Sequence, residues 1–520
     1  MNASDEHTRS LWMSKTPVTL DAKPLEQDLS CDTAIVGSGI AGLSTAYELT
    51  QSGQHVIVLD RGRIAGGVTS RTTAHLAPVC DDGVAALTKM RGEAMAMRFQ
   101  ESQEAAVNRI ECIVAEHSIS CNFRRLDAYL FPAPGMDFKD AREQQDEEYK
   151  ALRAVKAEVE KGRGVQLRGF EDAPVLHYKN QATFHPLKYN AGLIRHIRDR
   201  GGQLFADSAV LELEESESGV TVKLENGRSV TARHAVFATN SPTFNCVDIH
   251  SKMAPYRTYA MAFTIKRGTL PDALYWDMAD PYHYIRLQPG PGTTDYLIVG
   301  GADHKSGEAD DGDVRFEALA AWIGQLVPSL GREVSRWSGQ GLDTIDYCGF
   351  IGRDPRRKHT YVATGDSGQG MTHGALAGIL LRQLIIDGES PWTNVYEPSR
   401  KPISGLKNFV TENITAITNF SEYLMPAELA SVDELRPGQG GIMRDGLSKI
   451  AVCRDLDGEL HSRSAVCTHL GCHLHWNSTE QCWDCPCHGS QFSPNGDVLS
   501  GPAVAPLKAA TMPSKLSKNS

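Results

Sequence analysis

Cysteine and histidine residues near the C-terminus occur in two matched pairs. A Cys-x-His pair and a Cys-x-x-His pair are separated by residues 470–484. Two thiolates holding one iron and two imidazoles holding the other are the ligand set of one class of [2Fe–2S] centre. Such a centre moves one electron at a time, so other residues must supply or consume electrons. The two segments read Cys467-Thr-His469-Leu-Gly-Cys472 and Cys485-Pro-Cys487-His488-Gly-Ser490.

A structural zinc site is the alternative, since two Cys and two His also form a tetrahedral zinc set. Zinc fingers place the Cys pair first and the His pair later, whereas each segment here is mixed. Zinc also gives no role to Cys472, Cys487 or Ser490. The ligand order therefore favours the iron–sulfur centre.

Both segments resemble the ligand loops of Rieske proteins of the cytochrome bc type. The resemblance implies that a disulfide links Cys472 to Cys487, a pair that oxygenase-type Rieske domains lack. It also implies that Gly501-Pro502-Ala503 is the proline-containing loop that covers the cluster. The iron ligands implied by the match are Cys467, His469, Cys485 and His488.

Two residues, one at the end of the second segment and one just beyond it, bear on the potential of the cluster. Ser490 keeps the hydroxyl that bonds a cluster sulfide in bc-type relatives, but Phe492 stands where those relatives often have a Tyr. Hydrogen bonds to the sulfurs raise the potential. We therefore expect a centre less oxidising than the respiratory ones.

A glycine-rich segment near the N-terminus predicts a dinucleotide-binding fold. A buried strand runs into Gly37-Ser38-Gly39-Ile40-Ala41-Gly42, a helical pattern follows, and a second strand ends at Asp60. The glycines permit a tight turn, close approach of a pyrophosphate and close helix packing. The helix N-terminus offers N–H groups to phosphates, and Asp60 can bond ribose hydroxyls. With strand, helix and acid in place the motif is specific for a dinucleotide, but it leaves NAD and FAD open.

The hydroxyl-rich loop after Asp60 resembles that of FAD-dependent oxidoreductases of the D-amino-acid oxidase superfamily. In that superfamily the loop runs along the pyrophosphate and ribityl chain to the isoalloxazine. His75 lies where some dimethylglycine and sarcosine dehydrogenases carry a covalently attached His. We expect His75 near the flavin and leave covalent attachment open. The FAD contacts implied by this loop are Arg61, Thr69, Ser70, Thr72, Thr73 and His75.

Two later segments complete the resemblance, which runs from Asp32 to about Ser390. The backbone of Val210 matches the contact at the adenine end. A glycine-rich turn then starts a helix whose N-terminal N–H groups can stabilise negative charge on the flavin. The residues implied by this turn are Gly365, Asp366, Gly368, Gly370, Met371 and Thr372.

Substrate contacts are predicted from the strand Tyr282–Arg286, where Tyr284 and Arg286 are the candidates. Glycine oxidases and D-amino-acid oxidases usually carry an Arg for the substrate carboxylate upstream of an Asp-x-x-Pro-x-Ile-Gly run. Asp346 and Gly352 match that run, but no Arg stands at the expected place just upstream. Without a bidentate fork for a carboxylate, an amine or N-substituted compound is favoured over a plain α-amino acid.

The two resemblances and the order of the motifs imply an α/β FAD-binding Rossmann-like domain with an inserted α+β antiparallel-sheet substrate domain, plus a C-terminal all-β Rieske domain. A chain of 520 residues is too long for one core. The expected divisions are an N-terminal lead-in 1–30, the oxidoreductase 31–395, a linker 396–428 and the Rieske domain 429–513. Within the oxidoreductase, the nucleotide-binding segments are about 31–110, 185–248 and 340–395, and the substrate domain about 111–184 and 249–339.

Charge, hydropathy and cysteine distribution exclude several classes. A net charge of −11 argues against a nucleic-acid binder. No apolar run approaches the roughly twenty residues of a membrane span, and the first residues show no secretory h-region. Five of twelve Cys lie between Cys467 and Cys487 and the others are scattered, which suits a cytoplasmic metalloprotein.

The direction of electron flow follows from which motifs the sequence contains. We find no second dinucleotide motif after a strand, which disfavours a reductase driven by a pyridine nucleotide. Too few residues follow His488 for a mononuclear-iron domain, which disfavours a Rieske oxygenase. We therefore expect an FAD-dependent dehydrogenase in which a small organic substrate, most plausibly an amine, reduces FAD. Orienting a neutral amine can suffice without a side-chain base. The Rieske cluster would pass the electrons to an external acceptor. The alternative is an electron-transfer or redox-sensing protein without a small-molecule substrate.

Overall fold

The computed structural model describes residues 1–15, 17–18, 20–244, 247–401, 428–445 and 448–511. The strands in chain order are β1 Leu29–Val36, β2 Val56–Leu59, β3 His75–Leu76, β4 Arg124–Phe131, β5 Val159–Arg163, β6 Pro174–Thr183, β7 Gln203–Phe205, β8 Val210–Ser216, β9 Gly219–Leu224, β10 Ser229–Asn240, β11 Met253–Lys266, β12 Leu274–Asp277, β13 Tyr284–Pro289, β14 Thr294–Lys305, β15 Glu333–Thr344, β16 Phe350–Arg353, β17 Thr360–Thr364, β18 Gly440–Asp445, β19 Ser448–Arg454, β20 Leu460–Ser464, β21 His475–Asn477, β22 Cys482–Asp484, β23 Gln491–Phe492 and β24 Val498–Ser500. The α-helices are α1 Leu11–Ser14, α2 Ile40–Gln51, α3 Val84–Arg91, α4 Glu93–Glu116, α5 Phe138–Ala154, α6 Pro186–Asp199, α7 Val247–His250, α8 Gly312–Leu326, α9 Gly370–Arg382 and α10 Thr393–Tyr396.

The nucleotide-binding domain is built on a sheet of order β16-β17-β10-β1-β2-β7, with the β8–β9 hairpin attached to β10. β17, β10, β1, β2 and β7 run parallel to one another. Every residue of β2 is buried, as expected of a strand covered on both faces. Helices α2 and α9 follow β1 and β17 respectively, so both begin at the carboxyl end of the sheet.

The second domain is a sheet of order β15-β11-β14-β13-β12-β4-β6-β3, with β5 paired to β6. Its pairs are antiparallel except for the parallel pair β12–β4. Residues of α8 (Phe316, Leu319 and Ile323) pack with Met261 and Phe263 of β11 in one apolar cluster. This domain is the expected inserted α+β domain.

The C-terminal domain consists of two antiparallel sheets, β18-β19-β20 and β21-β22-β23-β24. Its core includes Trp476 and Trp483, whose ring centroids lie 4.9 Å apart. The predicted fold class, with its all-β C-terminal domain, is confirmed.

The N-terminal segment differs from the extended lead-in that its polar composition predicts. Residues 3–5 form a 3₁₀ turn and α1 follows, with Leu11 and Trp12 buried. The indole Nε1 of Trp12 donates to the carbonyl of Thr72 at 2.6 Å. Two large apolar side chains and local caps therefore anchor residues that look like a tail in the sequence.

Most of the expected linker 396–428 lies outside the described residues, which resume at residue 428. Among the described residues, no helix combines the length and apolar character that a membrane crossing needs.

Candidate functional site

An elongated cavity opens at the carboxyl ends of β1, β10 and β17 and extends beneath the second sheet. Most of the residues expected to bind FAD line it. These are Gly37, Ser38, Gly39, Ile40, Ala41, Asp60, Arg61, Thr69, Thr72, Thr73, Val210, Gly365, Asp366, Gly368, Gly370 and Met371.

The first glycine turn is packed so closely that a side chain at two of its positions would clash with backbone. Gly37 has φ +102°, and a Cβ there would lie 2.3 Å from the carbonyl oxygen of Ala238. A Cβ on Gly42 would lie 1.9 Å from the carbonyl oxygen of Gly37. Because these positions carry no side chain, the turn packs closely against β10 and the start of α2, and its backbone faces the cavity.

Polar groups suited to a dinucleotide face this space. The N-cap residues of α2 and α9, Gly39 and Gln369, have no side-chain cap, so both N-termini keep N–H groups for an anion. Asn240 lines the cavity, and its Nδ2 is buried without a partner among the described residues. Open helix N-termini, the glycine turn and an orphaned donor fit the diphosphate and polar chain of FAD.

Asp60 lines the cavity as expected and is itself held in place. Its carboxylate accepts hydrogen bonds from the Ser38 amide at 2.9 Å, the Ser38 hydroxyl at 2.5 Å and the Gly62 amide at 3.0 Å. Ser38 Oγ in turn accepts from the Ala65 amide at 2.8 Å. The acid thus ties the glycine turn to the loop after β2.

Three expected FAD residues lie one layer behind the cavity wall. Gly42 packs against Gly37, the Ser70 hydroxyl donates to the Gly67 carbonyl at 2.9 Å, and the Thr372 hydroxyl donates to the Gln369 carbonyl at 3.2 Å. In this arrangement they shape the binding turns rather than line the cavity.

His75 lies beside the cavity at the start of β3. Its ring packs edge-on against Tyr284 with centroids 5.2 Å apart, and its Nε2 is buried without a partner among the described residues. Burial, with a smaller effect of Arg286, lowers the pKa of His75 to about 3, so the imidazole is neutral at physiological pH.

The two substrate candidates on β13 occupy different environments. Tyr284 lines the cavity, and its hydroxyl lies 3.3 Å from Thr258 Oγ1. Arg286 is fully buried behind the FAD loop and donates to the carbonyls of Thr73 at 2.9 Å, Ala74 at 2.8 Å and Phe184 at 3.2 Å. Since these carbonyls occupy its guanidinium, this placement does not support the predicted contact of Arg286 with substrate.

The C-terminal Cys and His pairs converge in space. The Cys467 and Cys485 thiols are hydrogen-bonded to each other, and the rings of His469 and His488 lie 5.1 Å apart. Burial lowers the pKa of both His469 and His488 to about 4, which leaves the imidazoles neutral as metal binding requires. Two thiols beside two neutral imidazoles fit a [2Fe–2S] cluster.

The loops around this site are cross-linked. Cys472 and Cys487 form the expected disulfide, with Cα atoms 6.5 Å apart. Ser490 hydrogen-bonds the Cys467 sulfur, and its Oγ accepts from the amide of Ala503 in the proline-containing loop at 3.1 Å. All three loops are therefore fixed around the ligand sulfurs.

The C-terminal domain packs directly on the FAD cavity. Gln340 of β15 lines the cavity, and its Nε2 donates to the carbonyl of Gly489 in the second ligand loop at 2.7 Å. Leu499, Ser500 and Gly501 line the same cavity from the other domain. One side chain thus bridges the cavity and the ligand loop.

His250 of α7 packs against the two ligand imidazoles. Its buried ring lies 4.9 Å from that of His469 and 5.6 Å from that of His488, measured between centroids. The oxidoreductase domain therefore contacts both ligand histidines.

A buried ionic cluster, which we call the interface cluster, joins the two domains and the N-terminal segment. It consists of Glu6, Arg71, Arg257, Glu480 and Asp484, with side chains at most 2% exposed. Arg71 contacts Glu6 at 2.9 Å and Glu480 at 2.7 Å, while Arg257 donates to both oxygens of Asp484 at 3.1 Å. Because Arg71 belongs to the FAD loop, that loop is bonded directly to the C-terminal domain.

Sequence reasoning missed the interface cluster, Gln340 and His250. Charged residues in polar segments such as Glu6 and Glu480 carry no local sign of burial. Arg71 was the one charge within the hydroxyl-rich run Thr69–Thr73, and that was the available signal.

Comparison with known families agrees with both sites. A family model described as FAD dependent oxidoreductase matches residues 32–384, and one described as Rieske [2Fe-2S] domain matches residues 426–511. The Rieske match sets aside the zinc alternative. The putative Rieske 2Fe-2S iron-sulfur protein YhfW of Bacillus subtilis is 30% identical over 517 residues, which is 97% of each chain.

Other relatives match the oxidoreductase part. The gamma-glutamylputrescine oxidoreductase of Escherichia coli is 24% identical over 391 residues, which is 73% of this chain and 89% of that protein. The crystal structure of glycine oxidase from Geobacillus kaustophilus has a TM-score of 0.58 at 17% identity, covering 72% of this chain and 99% of its own, and so shows the fold. The chain belongs to the FAD-dependent oxidoreductase family and carries a C-terminal Rieske [2Fe–2S] domain, with FAD and a [2Fe–2S] cluster as cofactors.

Proposed function

We propose that the protein oxidises a C–N bond of a small amine or N-substituted amino compound and delivers the electrons through the cluster to an external one-electron acceptor. The observation that carries this proposal is the Gln340–Gly489 hydrogen bond, which links the wall of the FAD cavity to the cluster-ligand loop. It is supported by relatives named for glycine and gamma-glutamylputrescine oxidation.

The residues that hold FAD would be those of the glycine turns and the hydroxyl-rich loop. Gly37 to Gly42 and the N-terminus of α2 serve the diphosphate, and Asp60 serves the ribose. The loop Thr69–Thr73 and the turn Gly365–Thr372 serve the remainder. FAD supplies a two-electron acceptor for the C–N bond, and the cluster divides those electrons into single transfers.

On the substrate side, Tyr284 is the candidate contact. Burial raises the pKa of Tyr284, so its hydroxyl stays protonated and can donate or accept hydrogen bonds at neutral pH. The cavity wall orients the amine, and no side-chain base is required once the amine is neutral. The absence of an Arg at the expected place just upstream of Asp346 disfavours a free α-carboxylate as the recognised group.

The interface cluster supports electron transfer between fixed partners. Arg71 in the FAD loop and Arg257 in β11 both bind carboxylates of the Rieske domain. A buried, hydrogen-bonded connection resists relative movement of the two domains, so the cluster loops stay beside the cavity. We assign the protein to the cytoplasm, a reducing compartment that suits its buried free thiols, such as Cys80, Cys348 and Cys453.

The test is anaerobic mixing of the holoprotein with amines and N-methyl amino acids. Flavin bleaching and the EPR signal of the reduced cluster are followed together, with ferricenium as the external acceptor. At least one such compound should bleach the flavin and then reduce the cluster. If only dithionite or a protein donor does so, the electron-relay alternative replaces this proposal.

A substitution tests the path itself. Gln340→Leu should slow cluster reduction at least tenfold while flavin bleaching proceeds at the wild-type rate. Gln103→Leu is the matched control, because Gln103 is also buried and its Nε2 donates to the Tyr396 hydroxyl at 3.0 Å. Equal cluster reduction in Gln340→Leu and Gln103→Leu would remove Gln340 from the path.

A further inference from the structure

Five aspartates from four chain segments gather beside the FAD cavity, and we call this group the acidic recess. Asp366 lines the cavity itself. The Asp81 carboxylate touches the same turn, since a Cβ on Gly368 would lie 2.3 Å from Asp81 Oδ2. The Tyr282 hydroxyl donates to Asp81 at 2.9 Å. The members are Asp81, Asp82, Asp303, Asp343 and Asp366.

The carboxylates act on one another rather than on nearby cations. The neighbouring charges that raise the pKa of Asp343, after burial, are those of the other four members. Burial and repulsion from Asp82, Asp303 and Asp366 raise the pKa of Asp81 to about 8. Burial, with Asp280, raises the pKa of Asp82 to about 6, and burial raises that of Asp366 to about 6. Asp81, Asp82 and Asp343 nevertheless face solvent, because they line a recess and not a sealed core.

One member lacks a partner altogether at one oxygen. Asp303 Oδ1 is buried and accepts no hydrogen bond from the described residues. The Thr258 side chain hydrogen-bonds the Asp303 carboxylate, while the charges of His283 and Arg315 act on it without forming an ion pair among the described residues. An unpaired buried acceptor among like charges is unfavourable unless a ligand satisfies it.

The chemistry of amine oxidation limits what this ligand can be. The reacting nitrogen must be neutral, since its lone pair is needed as electrons leave the C–N bond. A monoamine therefore offers no charge to the carboxylates once it is ready to react. A second, non-reacting ammonium group can bind them throughout.

We infer that the substrate is a diamine or polyamine whose non-reacting ammonium groups bind the acidic recess. This inference rests on the proposed function and specifies its substrate class. R–CH₂–NH₂ loses two electrons and two protons to give R–CH=NH, and bound FAD would supply the acceptor for both. Water then converts the imine to an aldehyde and ammonia. Reoxidation would release the two protons and pass the two electrons singly, by way of the cluster ligands, to ferricenium as the acceptor in vitro.

Binding is tested apart from turnover. Isothermal titration of the oxidised holoprotein with hexamethonium, a bis-quaternary diammonium that cannot form an imine, should show saturable binding. Asp343→Asn should weaken that binding at least tenfold. Asp313→Asn, at an exposed position in α8, is the control and should bind like wild type. Spermidine and putrescine should bleach the flavin at concentrations at which propylamine and glycine do not.

Stability gives a second readout. Because Asp343 carries unfavourable charge, Asp343→Asn should raise the melting temperature of the ligand-free holoprotein at pH 8. Spermidine should raise the melting temperature of wild type more than that of Asp343→Asn. An unstable Asp343→Asn protein would contradict the repulsion on which the inference depends.

The outcomes separate the two proposals. If hexamethonium binds, Asp343→Asn weakens that binding and no amine bleaches the flavin, the acidic recess is a diammonium site and the proposed function is refuted. If N-methyl amino acids bleach the flavin and hexamethonium does not bind, the proposed function stands and the inference about the recess is refuted. Mg²⁺ that binds as tightly as spermidine, and is lost in Asp343→Asn, would make the recess a metal site and overturn the inference.

Discussion

Arg257→Leu should weaken the contact between the oxidoreductase and Rieske domains, because it removes one of two cations from the interface cluster. The Arg257 guanidinium is fully buried, donates to both oxygens of Asp484 at 3.1 Å and to Ser338 Oγ at 2.8 Å, and lies 3.6 Å from Glu6. Three buried carboxylates would then face a single guanidinium. Removing one partner of a buried ion pair costs about 3–5 kcal/mol of the free energy of unfolding.

The pH dependence of this loss has a definite sign. Burial already raises the pKa of Glu6 above its usual value. Without Arg257, the folded-state pKa of Glu6 should rise further above its unfolded value, because Arg257 is one of the charges that lower it. Such a group destabilises the fold increasingly as pH rises through the range between those two values. The deficit should therefore be largest near pH 8 and shrink towards pH 5.

Urea unfolding of the holoprotein, followed by two probes, measures the effect. Flavin fluorescence reports the oxidoreductase domain and visible circular dichroism reports the cluster. For a slope of about 3 kcal/mol per molar urea, the midpoint should fall by roughly 1 M or more at pH 8. In wild type the two probes should change together, whereas in Arg257→Leu the cluster signal should be lost first.

The control is Arg336→Leu, which breaks an exposed pair with Glu333 whose Nε–Oε1 distance is 2.7 Å. Exposed pairs contribute about 0–1 kcal/mol, so its midpoint should stay near that of wild type. The account of the interface cluster is refuted if Arg257→Leu behaves like Arg336→Leu at pH 8. A deficit that does not change between pH 5 and pH 8 would refute the linkage argument alone.

Three further substitutions test the cofactor sites. Cys472→Ser removes a disulfide that closes a 15-residue separation; at about 3 kcal/mol this should shorten the half-life of the cluster in mild urea, while Cys112→Ser, at an exposed free thiol, should leave it unchanged. Phe492→Tyr should raise the cluster potential in a dichroism-monitored redox titration, because a hydroxyl would donate to a ligand sulfur; an unchanged or lower potential contradicts this. Gly37→Ala should abolish FAD retention on gel filtration, since its Cβ would lie 2.3 Å from the carbonyl oxygen of Ala238, and a variant that keeps stoichiometric FAD would contradict the role of that turn.

Local motifs predicted the cofactors well because each is fixed by neighbouring residues. Gly37 to Gly42 need only a strand before them and a helix after them. The Cys467 and Cys485 loops likewise carry their ligands within a few residues of each other. In both cases short-range geometry determines the chemistry, so spacing in the sequence is informative.

The contacts between segments could not be read from spacing. Glu6 and Glu480 are far apart in sequence and meet only after three parts of the chain have packed together. The position of Arg286 was likewise hidden in the sequence. The alternation along β13 predicted the face on which Arg286 lies, but not that the backbone of Thr73 and Ala74 would pack over that face and accept its hydrogen bonds.

The N-terminal segment and the acidic recess illustrate two further limits. A polar segment containing one Leu-Trp pair looks like a tail, yet Leu11, Trp12 and the ion-paired Glu6 are all buried. Asp343 carries no local sign of its surroundings, because its four acidic neighbours come from other parts of the chain. Like-charge clusters of this kind become visible only in three dimensions.

The central claim is that electrons from a C–N bond reach the Rieske cluster through FAD within one chain. The most direct measurement is an anaerobic titration of the holoprotein with a polyamine, monitored at once by flavin absorbance and by EPR of the cluster. The account predicts that the flavin bleaches and that the signal of the reduced cluster then appears in the same molecules. A bleached flavin beside a cluster that stays oxidised would contradict it.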